Sequence, residues 1–303
     1  MSTLFAHFFQ KINGLSPLEH TFTEKLNTIA LMPKMLYFYG KMPENIVING
    51  VSKRPKCVAI VGSRHNSRYG EEVTYKLSYE LARRGVVIIS GLAIGIDAIS
   101  HRAALDAGGK TVAILGTAID NIYPRQNQGL ANEIIEKGGC IISEYAPGAK
   151  TYFKTSFLER NRLISGLADV VIITEAAERS GTLNTATHAL EQGRDLLVVP
   201  GDITKPLSVG CNRLIRQGAM PLTEIDDVLN LLFPTRRCEK PRLIAGDTPT
   251  ETAILKLLSE GVRDGEDIMS KLKLPVTEFN QTVSLLEIKG LIRGLGANNW
   301  VLR

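Results

Sequence analysis

Six short apolar runs recur through the middle of the chain, and their spacing constrains the fold more than any other feature. The runs cover residues 57–61, 86–90, 111–115, 140–143, 170–173 and 196–199. Their first residues lie 25 to 30 positions apart, and a strand–helix–strand unit takes about 30 residues. Within each run apolar and polar residues do not alternate, which indicates strands that are covered on both faces.

Helical patterns fill the intervals between these runs. Residues 70–84 carry apolar side chains at helical spacing, and residues 184–192 do the same. Each segment is followed by a glycine, Gly85 and Gly193, which is typical of a helix end. Alternating strands and helices predict an α/β chain with an extended, Rossmann-like, doubly wound and mostly parallel sheet.

Composition changes outside this region and divides the chain further. We expect an N-terminal extension over residues 1–34, a sheet domain over 35–233 with an additional strand at 35–39, and a proline-containing linker over 234–249. Residues 250–303 then carry three amphipathic segments followed by two short apolar runs. Three helices closed by a hairpin predict a small C-terminal winged-helix domain.

The net charge of +5 over 303 residues is unevenly distributed. Residues 1–56 carry seven basic and three acidic side chains, residues 57–239 carry twenty of each, and residues 240–303 carry nine and eight. A neutral sheet domain does not bind polyanions through its overall field, so nucleic-acid binding there requires a local patch. One candidate patch consists of Lys150, Lys154, Arg160 and Arg162, opposed only by Glu159.

The sequence contains no apolar segment long enough to span a membrane and no secretory signal pattern. Its longest apolar stretch, residues 86–96, is interrupted by a serine and two glycines. The four cysteines have no zinc-binding spacing, and Cys57 and Cys140 fall within apolar runs. We therefore expect no membrane association, no metal or cofactor, and a reducing, cytoplasmic location.

The residues that follow the runs indicate an anion-binding pocket. In a doubly wound sheet, ligands bind beyond the carboxyl ends of the strands, and nearly every predicted strand here is followed by glycine, serine or threonine. Glycine lets a phosphate approach the backbone, and N–H groups at helix starts hold it. The candidate residues are Gly62, Ser63, Arg64, Gly91, Gly95, Ser180, Gly181, Thr182 and Asn212.

This predicted pocket differs from a common nucleotide site. The first strand is followed by Gly62-Ser63-Arg64 rather than by a G-x-G-x-x-G turn, and the chain contains no G-x-x-x-x-G-K-[ST] motif. A guanidinium at position 64 suits a phosphodiester. We expect Arg64 and Lys154 to contact phosphates, and Arg160 and Arg162 to be partly structural.

Aromatic and basic residues are interleaved over residues 152–162. Proteins that bind single strands combine a basic groove with aromatic side chains on which bases stack. Phe157 lies three residues from both Lys154 and Arg160, so we predict that it stacks on a base, with Asn161 beside it in the site. The alternative places Phe157 in the core, on the same helical face as the phenylalanine four residues earlier.

Few residues indicate catalysis. The five histidines show no metal-ligand spacing, and Asp97 and Glu175 are the candidate acid–base residues. Asp97 is either a base or the cap of a helix that starts near residue 98, and the cap is favoured. Glu175 is either the base of a nucleotide hydrolase or a group that orients neighbouring loops, and neither is favoured.

Together these residues resemble the bacterial DNA-processing protein A (DprA/Smf) family. The matching segments, in family order over about residues 35–230, are 61–64 (VGSR), 90–97 (SGLAIGID), 159–164 (ERNRLI), 175–176 with 180–186 (SGTLNTA), 193–194, 199–201 (VPG) and 210–215 (GCNRLI) with 218–219. The resemblance implies an extended Rossmann fold that binds and protects single-stranded DNA. It also implies a homodimer and loading of the RecA recombinase onto incoming strands during natural transformation, without catalysis or a metal.

Two features depart from the fullest family pattern. Many members begin with a sterile-alpha-motif-like domain. Because the N-terminal extension predicted here is short, we expect that domain to be absent or vestigial. The third helix of the predicted winged-helix domain also carries little positive charge.

The alternative class is a nucleotide-binding or nucleotide-cleaving enzyme. It would be similar to the "Lonely guy" phosphoribohydrolases, which carry PGGxGTxxE after a strand. Here residues 175–184 keep Gly181-Thr182 but lack Pro-Gly-Gly and the closing glutamate, which favours the DNA binder.

An apolar stripe at the end of the sheet domain bears on the oligomeric state. Residues 225, 228, 229, 232 and 233 are apolar at helical spacing. We interpret the stripe as a candidate homodimer surface, and the alternative is packing against the domain's own sheet.

Overall fold

The computed structural model describes residues 12–48, 51–234, 246–259, 261–296 and 298–302. For Ile48, Phe153, Lys154, Leu295 and Leu302 it describes the backbone only. The chain divides into two compact units, residues 1–233 and 234–303. Most of the predicted linker, residues 235–245, lies outside the described residues.

The first unit is an α/β structure. Its strands are β1 (Asn13–Leu15), β2 (Leu36–Gly40), β3 (Ile46–Ile48), β4 (Val51–Lys53), β5 (Cys57–Val61), β6 (Val87–Ser90), β7 (Thr111–Ile114), β8 (Cys140–Ser143), β9 (Val170–Ile173), β10 (Asp195–Val198) and β11 (Met220–Pro221). Its α-helices are α1 (Arg68–Arg83), α2 (Ile96–Asp106), α3 (Gln128–Glu136), α4 (Phe153–Leu167), α5 (Gly181–Glu191), α6 (Val209–Arg216) and α7 (Ile225–Leu232). The six predicted runs are β5 to β10, each within one residue of its predicted bounds, and the strand predicted at 35–39 is β2.

Nine strands form one sheet in the order β1-β2-β8-β7-β6-β5-β9-β10-β11. In this spatial order, the seven strands that begin with β8 and end with β11 all run parallel to their neighbours. At the other edge, β2 pairs antiparallel with both β8 and β1. From β5 the chain builds β6, β7 and β8 on one side, and then places β9 on the other side. This reversal creates a crevice between β5 and β9, and it confirms the predicted doubly wound fold.

The core lies on both faces of the sheet, as the absence of alternation in the strands predicts. In β5, Cys57, Ala59 and Val61 face one layer, whereas Val58 and Ile60 face the other. The first layer contains apolar residues of α4 and α5, and the second contains residues of α1, α2 and α7. Apolar side chains therefore cover both faces of the sheet at β5.

Part of the N-terminal segment belongs to this core. Phe22, Leu26 and Ile29 are buried in the layer that contains α4. A Cβ added at Gly166 of α4 would lie 2.8 Å from a methyl carbon of Leu26, so the helix and this segment approach closely. Burial of these three side chains anchors residues 22–29 to the sheet.

The apolar stripe over residues 225–233 packs against the unit's own sheet. Val228, Leu229 and Leu232 of α7 are buried beside strand residues such as Leu197. The interpretation of this stripe as a dimer surface was therefore wrong, because an amphipathic period identifies a buried face without identifying what covers it.

The second unit consists of three helices and a two-stranded antiparallel sheet. Its elements are α8 (Pro249–Ser259), α9 (Gly265–Leu272), α10 (Val276–Ile288), β12 (Ile292–Gly296) and β13 (Asn299–Leu302). Apolar residues of the helices and of β12 form its core, and Trp300 packs against them half-buried. This is the arrangement of helices and hairpin predicted for a winged helix.

Candidate functional site

A pocket of about 770 Å³ lies beyond the carboxyl ends of β5 and β9, where the strand order reverses. Most residues predicted for the site line it, namely Gly62, Ser63, Arg64, Phe157, Arg160, Asn161, Ser180, Gly181 and Thr182. Gly91, Gly95, Arg162 and Asn212 do not line it. The side chain of Lys154 lies outside what the structure describes.

Backbone from two loops forms one wall of the pocket. Thr182, in the first turn of α5, donates its hydroxyl to the carbonyl oxygen of Gly62 at 3.0 Å, and its N–H donates to the Ser180 hydroxyl at 3.2 Å. A Cβ at position 62 would lie 2.6 Å from a side-chain carbon of Ile96, so glycine is required where this loop passes the start of α2. The start of α5 thus faces the loop after β5, and the N–H groups of a helix start favour an anion.

Two arginines stand on the rim of this pocket. Arg64 follows β5, Arg179 precedes α5, and both are exposed. In the described part of the chain, no ion pair involves either of them. Sequence reasoning overlooked Arg179, although it directly precedes the Ser180-Gly181-Thr182 motif. The rim therefore presents two guanidinium groups to an incoming anion.

Arg160 lies on the floor of the pocket and is only 3% exposed. Its guanidinium donates to the carbonyl oxygen of Gly91 at 2.7 Å and to that of Ile114. A Cβ at position 91 would lie 2.5 Å from a guanidinium nitrogen, which explains the glycine after β6. Burial lowers the pKa of Arg160 to about 10, an effect that nearby Asp97 opposes. Arg160 therefore ties together the ends of β6 and β7.

Asp97 is buried beside this arginine and also lines the pocket. The helix begins at Ile96 with Gly95 at the N-cap position, so the prediction that Asp97 caps it was wrong. The Asp97 carboxylate instead accepts the N–H of Ala93 at 3.3 Å. Burial raises the pKa of Asp97, and the charge of Arg160 opposes that rise.

Arg162 lies away from the pocket in a nearly buried ion pair. Its guanidinium donates to both carboxylate oxygens of Glu144, at 2.6 and 3.1 Å. Of the basic patch predicted around α4, Arg160 and Arg162 therefore have protein partners, whereas Lys150 is exposed.

Gly95 and Asn212 support the loops around the pocket. Gly95 has a φ of +78°, in the region that favours glycine, and it passes close to the backbone of Ser63 and Arg64. Asn212 of α6 bridges the loop after β10, because its amide donates to the carbonyl oxygen of Gly201 at 3.0 Å and accepts the N–H of Gly201 at 3.2 Å. In this structure both residues act through neighbouring backbone.

Glu175 orients the start of α1. Its buried carboxylate accepts the N–H of Ser67 at 2.9 Å through one oxygen, and the Ser67 hydroxyl through the other. Ser67 is the N-cap of α1. Of the two roles weighed for Glu175, the contacts match the orienting group.

Two aromatic rings meet at one corner of the pocket. Phe157 is half-buried, and its ring centroid lies 5.7 Å from that of Tyr123, with the planes inclined at 53°. The guanidinium carbons of Arg64 and Arg160 each lie 5.7 Å from the Phe157 centroid, which is within cation–π distance. Phe157 thus borders the pocket instead of lying wholly in the core, and its stacking on a base stays a prediction.

Metal and membrane features are not found in the described ranges. Among those residues, no group of three or more His, Cys, Asp or Glu side chains is placed to hold a metal ion. No helix in the described part of the chain is long and apolar enough to cross a bilayer.

The sequence matches a known family over most of the first unit. The model of the family described as DNA recombination-mediator protein A matches residues 14–233. This range contains every element that borders the pocket.

Individual relatives cover a similar range. DNA processing protein DprA of Streptococcus pneumoniae is 41% identical over 221 residues, which are 73% of this chain and 74% of that protein. Protein Smf of Escherichia coli is 46% identical over 177 residues, which are 58% of this chain and 47% of that protein. The chain therefore spans about half the length of the Escherichia coli relative.

Two solved structures share the fold. The structure of DNA processing protein A from Streptococcus pneumoniae has a TM-score of 0.62 at 37% identity, and covers 76% of this chain and 77% of its own. The protein of the same name from Helicobacter pylori has a TM-score of 0.63 at 31% identity, and the match covers 74% of this chain and 97% of that protein. The description of the second structure concerns a unique single-stranded DNA binding mode.

Proposed function

The chain belongs to the family of DNA recombination-mediator protein A, and we propose that it binds single-stranded DNA in the pocket beyond β5 and β9. The similar Helicobacter pylori structure is described by its single-stranded DNA binding mode, which supports this substrate class. The chemistry of the pocket supports it independently, because cations, helix N–H groups and aromatic rings adjoin one another there.

The observation that carries the proposal is the pair of exposed arginines on the rim, Arg64 and Arg179. No ion pair of the described residues neutralises them. A phosphodiester held there also faces the start of α5, where Gly62 and Gly181 let the strand approach the backbone. Lys154 is a further proposed phosphate contact, and Phe157 and Asn161 border the adjoining base.

The second unit lacks a comparable surface on its third helix. Residues 276–288 of α10 include two glutamates and no lysine or arginine. A helix without cations gains little from a phosphate backbone. We therefore assign single-strand binding to the first unit.

The biological setting follows from the family resemblance. Under this proposal the protein acts in the cytoplasm during natural transformation, protects incoming single strands and loads RecA onto them. It does so as a homodimer whose contact surface excludes the buried face of α7. Light scattering tests the oligomeric state, and a monomer at every concentration would exclude the dimer.

The proposed action is binding without catalysis. Both carboxylate oxygens of Glu175 bind Ser67, which leaves it poorly placed to act as the base of a phosphoribohydrolase. An assay for free base released from nucleoside monophosphates tests this alternative directly. Release at a rate that depends on Glu175 would replace the proposed function with an enzymatic one.

The binding proposal is tested with Arg64→Ala and a matched control, Arg83→Ala. Arg83 is exposed and lies at the C-terminal end of α1, away from the start of that helix next to the pocket. We expect the Arg64 variant to bind an oligothymidine more weakly and the Arg83 variant to bind like the unmodified protein. Equal affinity of all three proteins would reject the proposed site.

A further inference from the structure

Tyr123 brings a second aromatic ring to the pocket from a loop that carries none of the predicted site residues. The residue lies between β7 and α3, whereas Phe157 lies on α4. The Tyr123 side chain is 42% exposed, and its ring touches that of Phe157 at an inclined angle. Two separate elements thus build one aromatic corner beside Arg64.

The loop that carries Tyr123 is anchored by residues next to it in the sequence. Ile122 directly before it is buried. Asn127, four residues later, donates its side-chain amide to the carbonyl oxygens of Leu92 and Ala93, at 2.9 and 3.1 Å. These contacts fix the loop against the segment that follows β6. A ring held in this way loses little conformational entropy when a ligand stacks on it.

The space next to this ring is apolar. A small cavity of about 60 Å³ adjoins the main pocket and is lined by Arg64, Ala93, Ile94, Tyr123, Pro124 and Phe157. Among the described residues that line it, Arg64 is the only charged one. A phosphate would lose hydration there without sufficient polar partners, whereas the face or edge of a nucleobase would not.

Tyr123 is also more exposed than Phe157, which is half-buried. The guanidinium carbons of Arg64 and Arg160 each lie 5.7 Å from the Phe157 centroid. Phe157 makes these cation–π contacts while its ring also borders the base.

We infer that Tyr123 and Phe157 together form a nucleobase subsite, in which a base stacks on the exposed ring of Tyr123 while Arg64 holds the adjacent phosphate. The inference rests on the proposed single-strand binding. Because every base has a π face, stacking on Tyr123 contributes affinity without selecting a sequence.

The first test compares Tyr123→Leu, Tyr123→Phe and the control Tyr75→Leu. Tyr75 is 41% exposed, nearly the same as Tyr123, but it lies on α1 outside the pocket. Loss of one stacked base corresponds to roughly 5- to 150-fold weaker binding of oligothymidine. We expect this loss for Tyr123→Leu, near-normal binding for Tyr123→Phe, and no change for Tyr75→Leu. Unchanged affinity of Tyr123→Leu would overturn the subsite.

An abasic oligonucleotide separates stacking from a backbone or folding effect. When the sugars carry no bases, the Tyr123→Leu variant and the unmodified protein should bind with the same affinity. An equal fold-loss on abasic and normal strands would show that the tyrosine acts through the backbone or the fold, and would reject the inference.

A measurement on the unmodified protein keeps the test valid if a variant folds poorly. An oligonucleotide that contains 5-iododeoxyuridine is irradiated in the complex, and the crosslinked residue is mapped by mass spectrometry. We expect a crosslink at Tyr123, and crosslinks confined to other residues would contradict the inference. If Arg64→Ala weakens binding while Tyr123 neither crosslinks nor contributes affinity, only the subsite fails. If Arg64→Ala has no effect either, the proposed function fails with it.

Discussion

The rim and the floor of the pocket both carry arginine, yet the structure gives these arginines different surroundings. Arg64 and Arg179 on the rim are exposed and form no ion pair within the described residues. Arg160 on the floor is buried and donates to two carbonyl oxygens from the ends of β6 and β7. The same side chain therefore serves as a candidate ligand in one place and as a structural tie in the other.

The difference shows why a count of basic residues is a poor guide to a nucleic-acid site. A buried guanidinium loses hydration and must be compensated by fixed protein acceptors. Once those acceptors are engaged, moving the group toward a phosphate would leave buried carbonyls without donors. An exposed guanidinium can bind a phosphate without this cost. Contacts with the rim arginines should therefore contribute more to the affinity for a DNA strand than contacts with the floor.

The largest effect that we expect is the loss of stability when Arg160, on the floor of the pocket, is replaced. Arg160→Ala removes the donor of two buried carbonyls, each of which costs about 1–3 kcal/mol when left unsatisfied, so we expect the first unit to lose about 2–6 kcal/mol of stability. Arg83→Ala, at an exposed ion pair, should cost about 0–1 kcal/mol. Scanning calorimetry of both variants measures the difference. A stable Arg160→Ala protein that has lost DNA affinity would instead make Arg160 a phosphate ligand and remove the contrast between rim and floor.

The second largest effect concerns Phe157, whose ring contacts both Arg64 on the rim and Arg160 on the floor. We expect Phe157→Ala to weaken oligothymidine binding by roughly 5- to 150-fold for any sequence, since stacking is worth about 1–3 kcal/mol per base. The salt dependence should stay nearly the same, because no phosphate contact is removed. If Phe157 serves the core alone, the change should cost about 3–5 kcal/mol of stability and leave the binding of the folded fraction intact. Melting temperature and affinity measured on the same variant distinguish these outcomes.

The smallest effect concerns Asp97, the one carboxylate among the described residues that line the pocket. An ionised Asp97 would repel a bound phosphate, so Asp97→Asn should strengthen oligothymidine binding by about two- to tenfold near pH 8. Burial raises the pKa of Asp97, so acidification neutralises it earlier than an ordinary aspartate, and the affinity of the unmodified protein should rise toward that of the variant. His65 also lines the pocket but is present in both proteins, so the difference between the two pH profiles isolates Asp97. Parallel profiles would show that Asp97 does not influence the bound strand.

Much of the fold could be predicted because its signals are local. Each run from β5 to β10 is apolar throughout, and such a run indicates a strand covered on both faces wherever it lies. The position of the pocket followed from the general rule that doubly wound sheets bind ligands at their strand ends. Residues such as Gly62 and Thr182 therefore met at the expected edge, although they lie 120 positions apart.

The roles of single side chains depended on partners that are distant in the sequence. Arg160 binds carbonyl oxygens 69 and 46 positions away, so the sequence indicated a partly structural role for it without identifying these partners. Tyr123 was overlooked because it lies 34 positions from Phe157 in the sequence, and only the tertiary structure brings the two rings together. The stripe on α7 had the correct period, but a period does not reveal whether a sheet or a second subunit covers it.

The most direct test of the central claim is the salt dependence of oligothymidine affinity in Arg64→Ala, Arg179→Ala and the double variant. Removing one cation that binds a phosphate of a single strand should flatten the slope of log affinity against log salt by about 0.7, and removing two should flatten it by about 1.4. Arg293→Ala, at an exposed arginine of β12 in the second unit, serves as the control and should leave the slope unchanged. A double variant with the slope of the unmodified protein would show that the rim arginines do not hold the strand.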